Sequence, residues 1–207
     1  LSDGKYHWRA RAVDSMENTS EWQEFGIAGN VDFEILTKIP VIIVPGIMGS
    51  RLFNFTDGEE VWPNARKMFF SHDDNYLDAL KLNIDGSQIK EVHPTGIILE
   101  ESVLDIVYYK NLVDSFTSAG YTLEDNLFLR PYDWRLDIYH ELARLDHTIQ
   151  QAISKSPNGK IDIIAHSLGG LLIKTYLNQL SDTSFVNKLV LIASPQLGAP
   201  KAFKALN

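Results

Sequence analysis

The sequence predicts an α/β fold in which a mostly parallel sheet is flanked by helices. Two apolar runs, residues 41–44 and 161–165, each lead into a loop that contains glycine, as buried parallel strands do. Between these runs, apolar residues at helical spacing alternate with short strand-like segments. With 207 residues, 44% of them apolar, the chain is long enough to bury a substantial core.

The remaining elements follow from the same periodicities. A helix is predicted to end at Gly120 and to carry its apolar face on Ile106, Tyr109, Val113 and Phe116. A short strand at residues 127–129 follows, and then a second helix whose apolar face holds Ile138, Leu142, Leu145, Ile149 and Ala152. A last strand, residues 188–193, ends at the same edge as residues 161–165, where ligands bind in open parallel sheets.

The segment 161–170 carries the strongest chemical signal. An apolar strand runs through Ala165 and His166 into Ser167 and then directly into a helical pattern. Such a turn lifts a serine hydroxyl above the sheet edge, and the N–H of the next residue, Leu168, forms half of an oxyanion hole. Ala165 stands where the G-x-S-x-G pattern has its first glycine and is the smallest departure from it. We therefore predict that Ser167 is the catalytic nucleophile.

A catalytic serine needs a base, and none is found after Ser167. In enzymes with this turn the partners follow in the order serine, acid, histidine. All six histidines precede Ser167, and the one acidic residue downstream is Asp182. We expect a fragment whose acid and histidine lie beyond Asn207; the alternative is an inactive hydrolase. His166 is a poor substitute, because successive side chains on such a turn point apart.

A second strand-loop, residues 40–50, is predicted to complete the oxyanion hole. Its β-branched run closes with Pro45 and Gly46, and the glycines let the backbone approach the serine. Ile47 is the expected N–H donor, with Met48 as the fallback. The alternative is that the Pro-Gly pair merely ends a strand.

Four motifs in one order resemble the lecithin:cholesterol acyltransferase and lysosomal phospholipase A2 family, which has the α/β-hydrolase fold. They are VIIVPGIMGSRL, RPYDWR, AHSLGG and ASPQLGAP, and the resemblance runs from about Pro40 to the end of the chain. It implies an α/β-hydrolase core, truncated after its nucleophile half, in residues 38–207. It also implies that Ser167 accepts an acyl group from a lipid ester, while Ile47 and Leu168 donate N–H groups to the oxyanion.

The resemblance thus predicts a serine-dependent lipid acyl hydrolase or O-acyltransferase that works through an acyl-enzyme without a cofactor. We expect the fragment itself to be inactive. Two alternatives stay open. One is an esterase, lipase or glycolipid-anchor deacylase of another α/β-hydrolase branch. The other is a non-catalytic surface-adhesion module with a relic hydrolase core.

Several residues around the predicted site are candidates for contact with substrate. Large apolar side chains in the irregular stretch 51–96 suit a lid or an acyl-chain groove, or else a packed insertion: Phe53, Phe55, Trp62, Met68, Phe69 and Phe70. The predicted substrate-binding residues are Met48, Trp62, Asp133 and Trp134. Asp133 has the alternative of pairing with Arg135 or Arg130. His72 with Asp73, Asp74 and Asp78 reads as a solvated face, so no metal is expected.

The first 37 residues are assigned to another module. Tyr6, Trp8 and Ala10 alternate with charged or polar residues, which predicts a strand with one buried face. The stretch resembles the last strands of a fibronectin type III-like β-sandwich, which implies an extracellular or cell-surface protein. An N-terminal hairpin integral to the hydrolase is the alternative.

The composition argues against several classes of function and of site. A net charge of −8 argues against nucleic-acid binding and against simple electrostatic attachment to anionic membranes. No run approaches the ~18 apolar residues of a membrane span. The absence of cysteine excludes disulfides and a thiol nucleophile. A transient contact with a lipid surface and the oligomeric state stay open.

Overall fold

The computed structural model describes residues 4–27, 29–101 and 106–200. The strands are β1 Gly4–Tyr6, β2 Arg9–Ala10, β3 Gln23–Glu24, β4 Phe33–Ile35, β5 Val41–Val44, β6 Ser50–Asn54, β7 Glu59–Trp62, β8 Val92–Ile97, β9 Glu100–Glu101, β10 Ile106–Val107, β11 Leu127–Leu129, β12 Ile161–His166 and β13 Val186–Ile192. The α-helices are α1 Ala65–Phe70, α2 Lys110–Ser118, α3 Leu142–Ser154 and α4 Leu168–Leu177, and the 3-10 helices are Asn75–Leu80 and Ile138–Glu141.

The centre of the molecule is a parallel sheet with the strand order β11-β5-β12-β13. All four residues of β5 are buried, because both faces of this strand are covered. Ile42 and Val44 face a core formed with α3 and α4, whereas Val41 and Ile43 face a second core formed with α2. Helices on both faces of a parallel sheet make the three-layer α/β fold that the sequence predicts.

Two helices differ from their predicted extents for simple reasons. Ile106 lies in β10, and α2 begins only at Lys110, so the helical spacing that includes Ile106 is fortuitous. The helix still ends before Gly120, whose φ of 81° suits a residue just beyond a helix. The second predicted helix is divided, with a 3-10 turn at Ile138–Glu141 leading into α3.

The stretch 51–96 is more regular than its sequence indicates. β6, β7 and β8 form a three-stranded antiparallel sheet in the order β7-β6-β8. Leu52, Val61 and Val92 are buried in a small core of their own. Phe55 and Phe70 are exposed instead, and the side chain of Phe69 lies outside the described ones. This sheet was not predicted, because its core is built from single apolar residues that lie far apart along the chain.

The N-terminal strands pair among themselves within the described residues. β1 pairs with β4 and β2 with β3, both antiparallel. The N-terminal strand does not have the buried face that its alternation predicts, because Trp8 is 47% exposed and Ala10 is also exposed. The aromatic rings instead stack pairwise across strands, Trp8 on Phe25 and Tyr6 on Phe33.

Candidate active site

Ser167 lies at the carboxyl edge of the central sheet, between the end of β12 and the start of α4. Its backbone has φ 50° and ψ −122°, a conformation that residues with a side chain rarely adopt. Hydrogen bonds fix this peptide, because the Ser167 N–H donates to the Ile192 carbonyl at 2.8 Å and its own carbonyl accepts from Gly170 N–H at 3.0 Å. A strained serine between a strand and a helix is the geometry of a nucleophile elbow.

Close backbone contacts explain the small residues after the serine. A Cβ atom on Gly169 would overlap the Pro45 carbonyl oxygen, and one on Gly170 would overlap the Ser194 side chain. The start of α4 therefore passes directly over the end of β5 and over the loop after β13. Only glycine allows this approach, so the AHSLGG pattern reflects the packing of three strand ends around the serine.

The loop after β5 lies beside Ser167, on the same edge of the sheet. A Cβ atom on Gly46 would sit 2.9 Å from Ser167 Cβ and 2.9 Å from His166 Nδ1. Residues 46–49 form a tight turn in which Gly49 N–H donates to the Gly46 carbonyl at 3.0 Å, and Met48 has a φ of 60°.

Most polar groups of this turn are already occupied. The Gly46 N–H donates to the Tyr109 hydroxyl at 2.9 Å, and the Gly49 carbonyl accepts from Ile98 N–H at 2.9 Å. Within the described part of the chain, the N–H groups of Ile47 and Met48 make no hydrogen bond, nor does that of Leu168. The three N–H groups that the sequence singles out are therefore without a hydrogen-bond partner among the described residues.

Trp62 and Trp134 support this turn through their indole nitrogens. Trp62 Nε1 donates to the Met48 carbonyl at 2.9 Å, and Trp134 Nε1 donates to the Ser50 carbonyl at 3.3 Å. The two indoles contact each other edge to face, with ring centroids 5.6 Å apart. These contacts give both tryptophans a structural task at the site, while the substrate contact predicted for them stays a prediction. Met48, which is 43% exposed, remains available to substrate.

Asp133 is engaged in a buried ion pair. One of its oxygens lies 2.6 Å from Arg135 Nη2, the other accepts from Arg135 Nε at 2.9 Å, and both side chains are at most 4% exposed. Arg130 makes a second buried pair with Glu141 at 2.9 Å. Asp133 is 2% exposed and already bonded through both oxygens to Arg135, so substrate has little access to it. The contacts therefore support the pairing alternative with Arg135 rather than a substrate-binding role for Asp133.

His166 contacts Tyr109 rather than the nucleophile. Its Nδ1 lies 2.7 Å from the Tyr109 hydroxyl, the same hydroxyl that accepts from Gly46 N–H. Within the described residues no side chain makes a hydrogen bond to Ser167 Oγ. Burial raises the pKa of the Tyr109 phenol, so this hydroxyl keeps its proton at neutral pH. No sequence pattern indicates this contact, because Tyr109 and His166 are 57 positions apart.

Two cavities differ in their distance from the elbow and in the polarity of their walls. One of about 620 Å³ adjoins the stretch 51–96, but its walls are charged, with Arg51, Glu60 and Lys67 among them. The other, about 450 Å³, is apolar and adjoins Leu112 and His166. The apolar cavity therefore lies next to His166 and the elbow, and not beside the stretch 51–96 that was predicted to form a lid or an acyl-chain groove. No helix in the described part of the chain is long and apolar enough to span a bilayer.

Comparison with known proteins adds independent information. A model of the family described as lecithin:cholesterol acyltransferase matches residues 94–207. A phospholipase A(1) of Arabidopsis thaliana named LCAT3 is 25% identical over 194 residues, covering 81% of this chain and 43% of the relative. The phosphatidylcholine-sterol acyltransferase of Mus musculus is 27% identical over 204 residues, covering 81% of this chain and 46% of the relative. The chain thus spans less than half the length of these relatives.

A solved structure shares the fold. The chain resembles one in the crystal structure of the Tle4-Tli4 complex with a TM-score of 0.52 and 14% sequence identity, covering 80% of this chain and 47% of the other. At this identity the similarity concerns the fold alone.

Proposed function

The chain belongs to the lecithin:cholesterol acyltransferase family, and on that premise we propose that it carries the nucleophile half of a serine acyl hydrolase or O-acyltransferase acting on lipid esters. The names of its relatives, a phospholipase A(1) and a phosphatidylcholine-sterol acyltransferase, point to acyl esters of phospholipids as the substrate class. One observation carries the proposal: Ser167 occupies a strained turn next to a second turn, and unoccupied N–H groups lie on both.

The proposed reaction proceeds through an acyl-enzyme. Ser167 Oγ attacks the ester carbonyl carbon while a base takes the hydroxyl proton, and the carbonyl oxygen becomes an oxyanion. The N–H groups of Leu168 and Ile47 stabilise this oxyanion, because fixed donors need no reorganisation as the charge develops. The bond to the leaving alcohol then breaks, and that alcohol receives the proton from the base. Water or a second alcohol attacks the acyl-enzyme in the reverse sequence and frees Ser167.

The base and its orienting acid are proposed to come from residues outside these 207. His166 is held by Tyr109, and no other described histidine reaches Ser167. The exposure of β13 supports the same proposal, since Leu189, Val190, Leu191 and Ile192 are 37% to 46% exposed. In the described residues, no strand pairs with the outer edge of β13. An apolar strand with one free edge is a surface that further chain would cover.

We also propose that residues 1–37 form part of a separate module, which would place the protein outside the cell or on its surface. The self-contained pairing of β1 with β4 and of β2 with β3 supports this division. The sandwich type of the module and the location of the protein stay predictions.

The experiment uses the full-length protein that contains this chain, with vesicles of phosphatidylcholine as substrate. We expect release of fatty acid, and transfer to an added long-chain alcohol if the acceptor site takes one. Ser167→Ala should abolish both, whereas Ser115→Ala, at an exposed position on α2, should leave both unchanged. Equal turnover by wild type and Ser167→Ala would refute the proposal, and no turnover by either would favour a relic hydrolase core.

A further inference from the structure

We infer that Tyr109 is a positioning residue whose hydroxyl joins the two halves of the proposed oxyanion hole. This inference rests on the proposed function, because it assigns the residue a task in that same site. Tyr109 accepts a hydrogen bond from Gly46 N–H at 2.9 Å and lies 2.7 Å from His166 Nδ1. Gly46 begins the turn that presents Ile47, and His166 immediately precedes Ser167.

The hydroxyl lies against both ends of the turn. Besides its bond to Gly46, it would be 3.2 Å from a Cβ atom on Gly49. The hydroxyl is therefore close to both residues that bound the turn. Because the Gly46 N–H is taken by the hydroxyl, the next N–H along the chain, that of Ile47, is the first one free for an oxyanion.

Tyr109 is itself well anchored. Its carbonyl accepts from Val113 N–H at 3.0 Å at the start of α2, and its ring packs against the apolar core beneath Ile43. The phenol thus transmits the position of α2 and the sheet to the turn. Removing the hydroxyl alone would take away the tie at Gly46 without removing this packing.

The hydroxyl can bond to both partners at once. It accepts from Gly46 N–H, and with one O–H proton and a second lone pair it can either donate to His166 Nδ1 or accept from it. An asparagine at position 166 offers an amide that donates or accepts at nearly the place of Nδ1, whereas leucine offers neither.

The test is a double-mutant cycle in the full-length protein with phosphatidylcholine vesicles. Tyr109→Phe should lower kcat about tenfold with KM within about twofold, because a loosened donor weakens stabilisation of the transition state rather than substrate binding. His166→Leu should lower kcat to a similar extent, whereas His166→Asn should keep most of the wild-type kcat. The double variant Tyr109→Phe, His166→Leu should have a kcat within about twofold of that of the more affected single variant, since both substitutions remove the same link.

A trifluoromethyl ketone, which forms an oxyanion on the serine, separates positioning from general destabilisation. Its inhibition constant should rise in Tyr109→Phe by the same factor as kcat/KM falls. The control is Tyr139→Phe, at an exposed position on the 3-10 helix Ile138–Glu141, which should change neither quantity.

The outcomes separate this inference from the function beneath it. Wild-type kcat in Tyr109→Phe, or equal losses in His166→Leu and His166→Asn, would overturn the positioning role while Ser167→Ala remains inactive. Activity in Ser167→Ala would contradict the proposed function itself. If Tyr109→Phe does not fold, the comparison of the two His166 variants decides the matter alone.

Discussion

A methyl group on Gly46 is expected to push the oxyanion turn away from the nucleophile. The Cβ atom of Gly46→Ala would lie 2.9 Å from Ser167 Cβ and 2.9 Å from His166 Nδ1. Ordinary contacts of a Cβ atom begin near 3.4 Å, so the turn must move by about 0.5 Å. A displacement of about 1 Å in a catalytic site can lower the rate about 10²-fold, so half of that predicts a fall in kcat of about tenfold. Overpacking adds a loss of about 1 kcal/mol in the free energy of unfolding, at the lower end of such changes.

The assay measures kcat, KM and melting temperature of the full-length protein with phosphatidylcholine vesicles. We expect a melting temperature about 2 to 4 °C lower and a nearly unchanged KM. Gly96→Ala is the matched control, because nothing lies within 4 Å of a Cβ atom on this glycine of β8. Full kcat in Gly46→Ala, or an equal loss of kcat in Gly96→Ala, would show that the close contact of Gly46 with Ser167 does not set the rate.

Three further predictions concern the isolated chain, its N-terminal residues and the buried pair of Asp133 with Arg135. Residues 1–207 alone should hydrolyse p-nitrophenyl esters only at the residual level that an oxyanion hole gives without a base, roughly 10³ to 10⁴ over water; robust turnover that Ser167→Ala abolishes would implicate a histidine within the chain. Removing the residues before Lys38 from the full-length protein should leave esterase activity largely unchanged, since Pro40 separates two strand runs of different pattern; insoluble product would make the N-terminal strands part of the hydrolase. Asp133→Asn should destabilise the fold by about 3 kcal/mol in urea unfolding, because it leaves Arg135 buried without its charge partner; a raised KM without loss of stability would instead favour contact with substrate.

Much of the sheet edge that carries Ser167 was predictable, because its residues are close together in sequence. The run at residues 41–44 is apolar throughout, since both faces of β5 are covered, and β5 has these bounds in the structure. The elbow at Ser167 needs a strand, a strained residue and two close glycines in direct succession, which leaves a short and recognisable pattern. The prediction of the family rested on such local patterns and is confirmed.

The supports of the site could not be predicted in the same way. Tyr109, Trp62 and Trp134 reach the turn through single hydrogen bonds from distant parts of the chain, and a sequence shows no pairing of this kind. Their large apolar rings suggested core or substrate contacts. The contacts with the turn are instead made by the one polar atom of each ring system, through a hydrogen bond. The pairing of Asp133 with Arg135 was foreseeable because the two are only two positions apart.

Detection of the acyl-enzyme would test most directly whether Ser167 is the nucleophile. Full-length protein is mixed with phosphatidylcholine, quenched in acid within the first turnovers and digested with trypsin. Cleavage after Lys160 and Lys174 yields a peptide, residues 161–174, in which Ser167 is the sole hydroxyl-bearing residue. An acyl-enzyme on Ser167 adds the mass of one fatty acid, less water, to this peptide, and the addition should be absent in Ser167→Ala. Turnover that continues in Ser167→Ala, with no acyl group on the wild-type peptide, would contradict this role of Ser167.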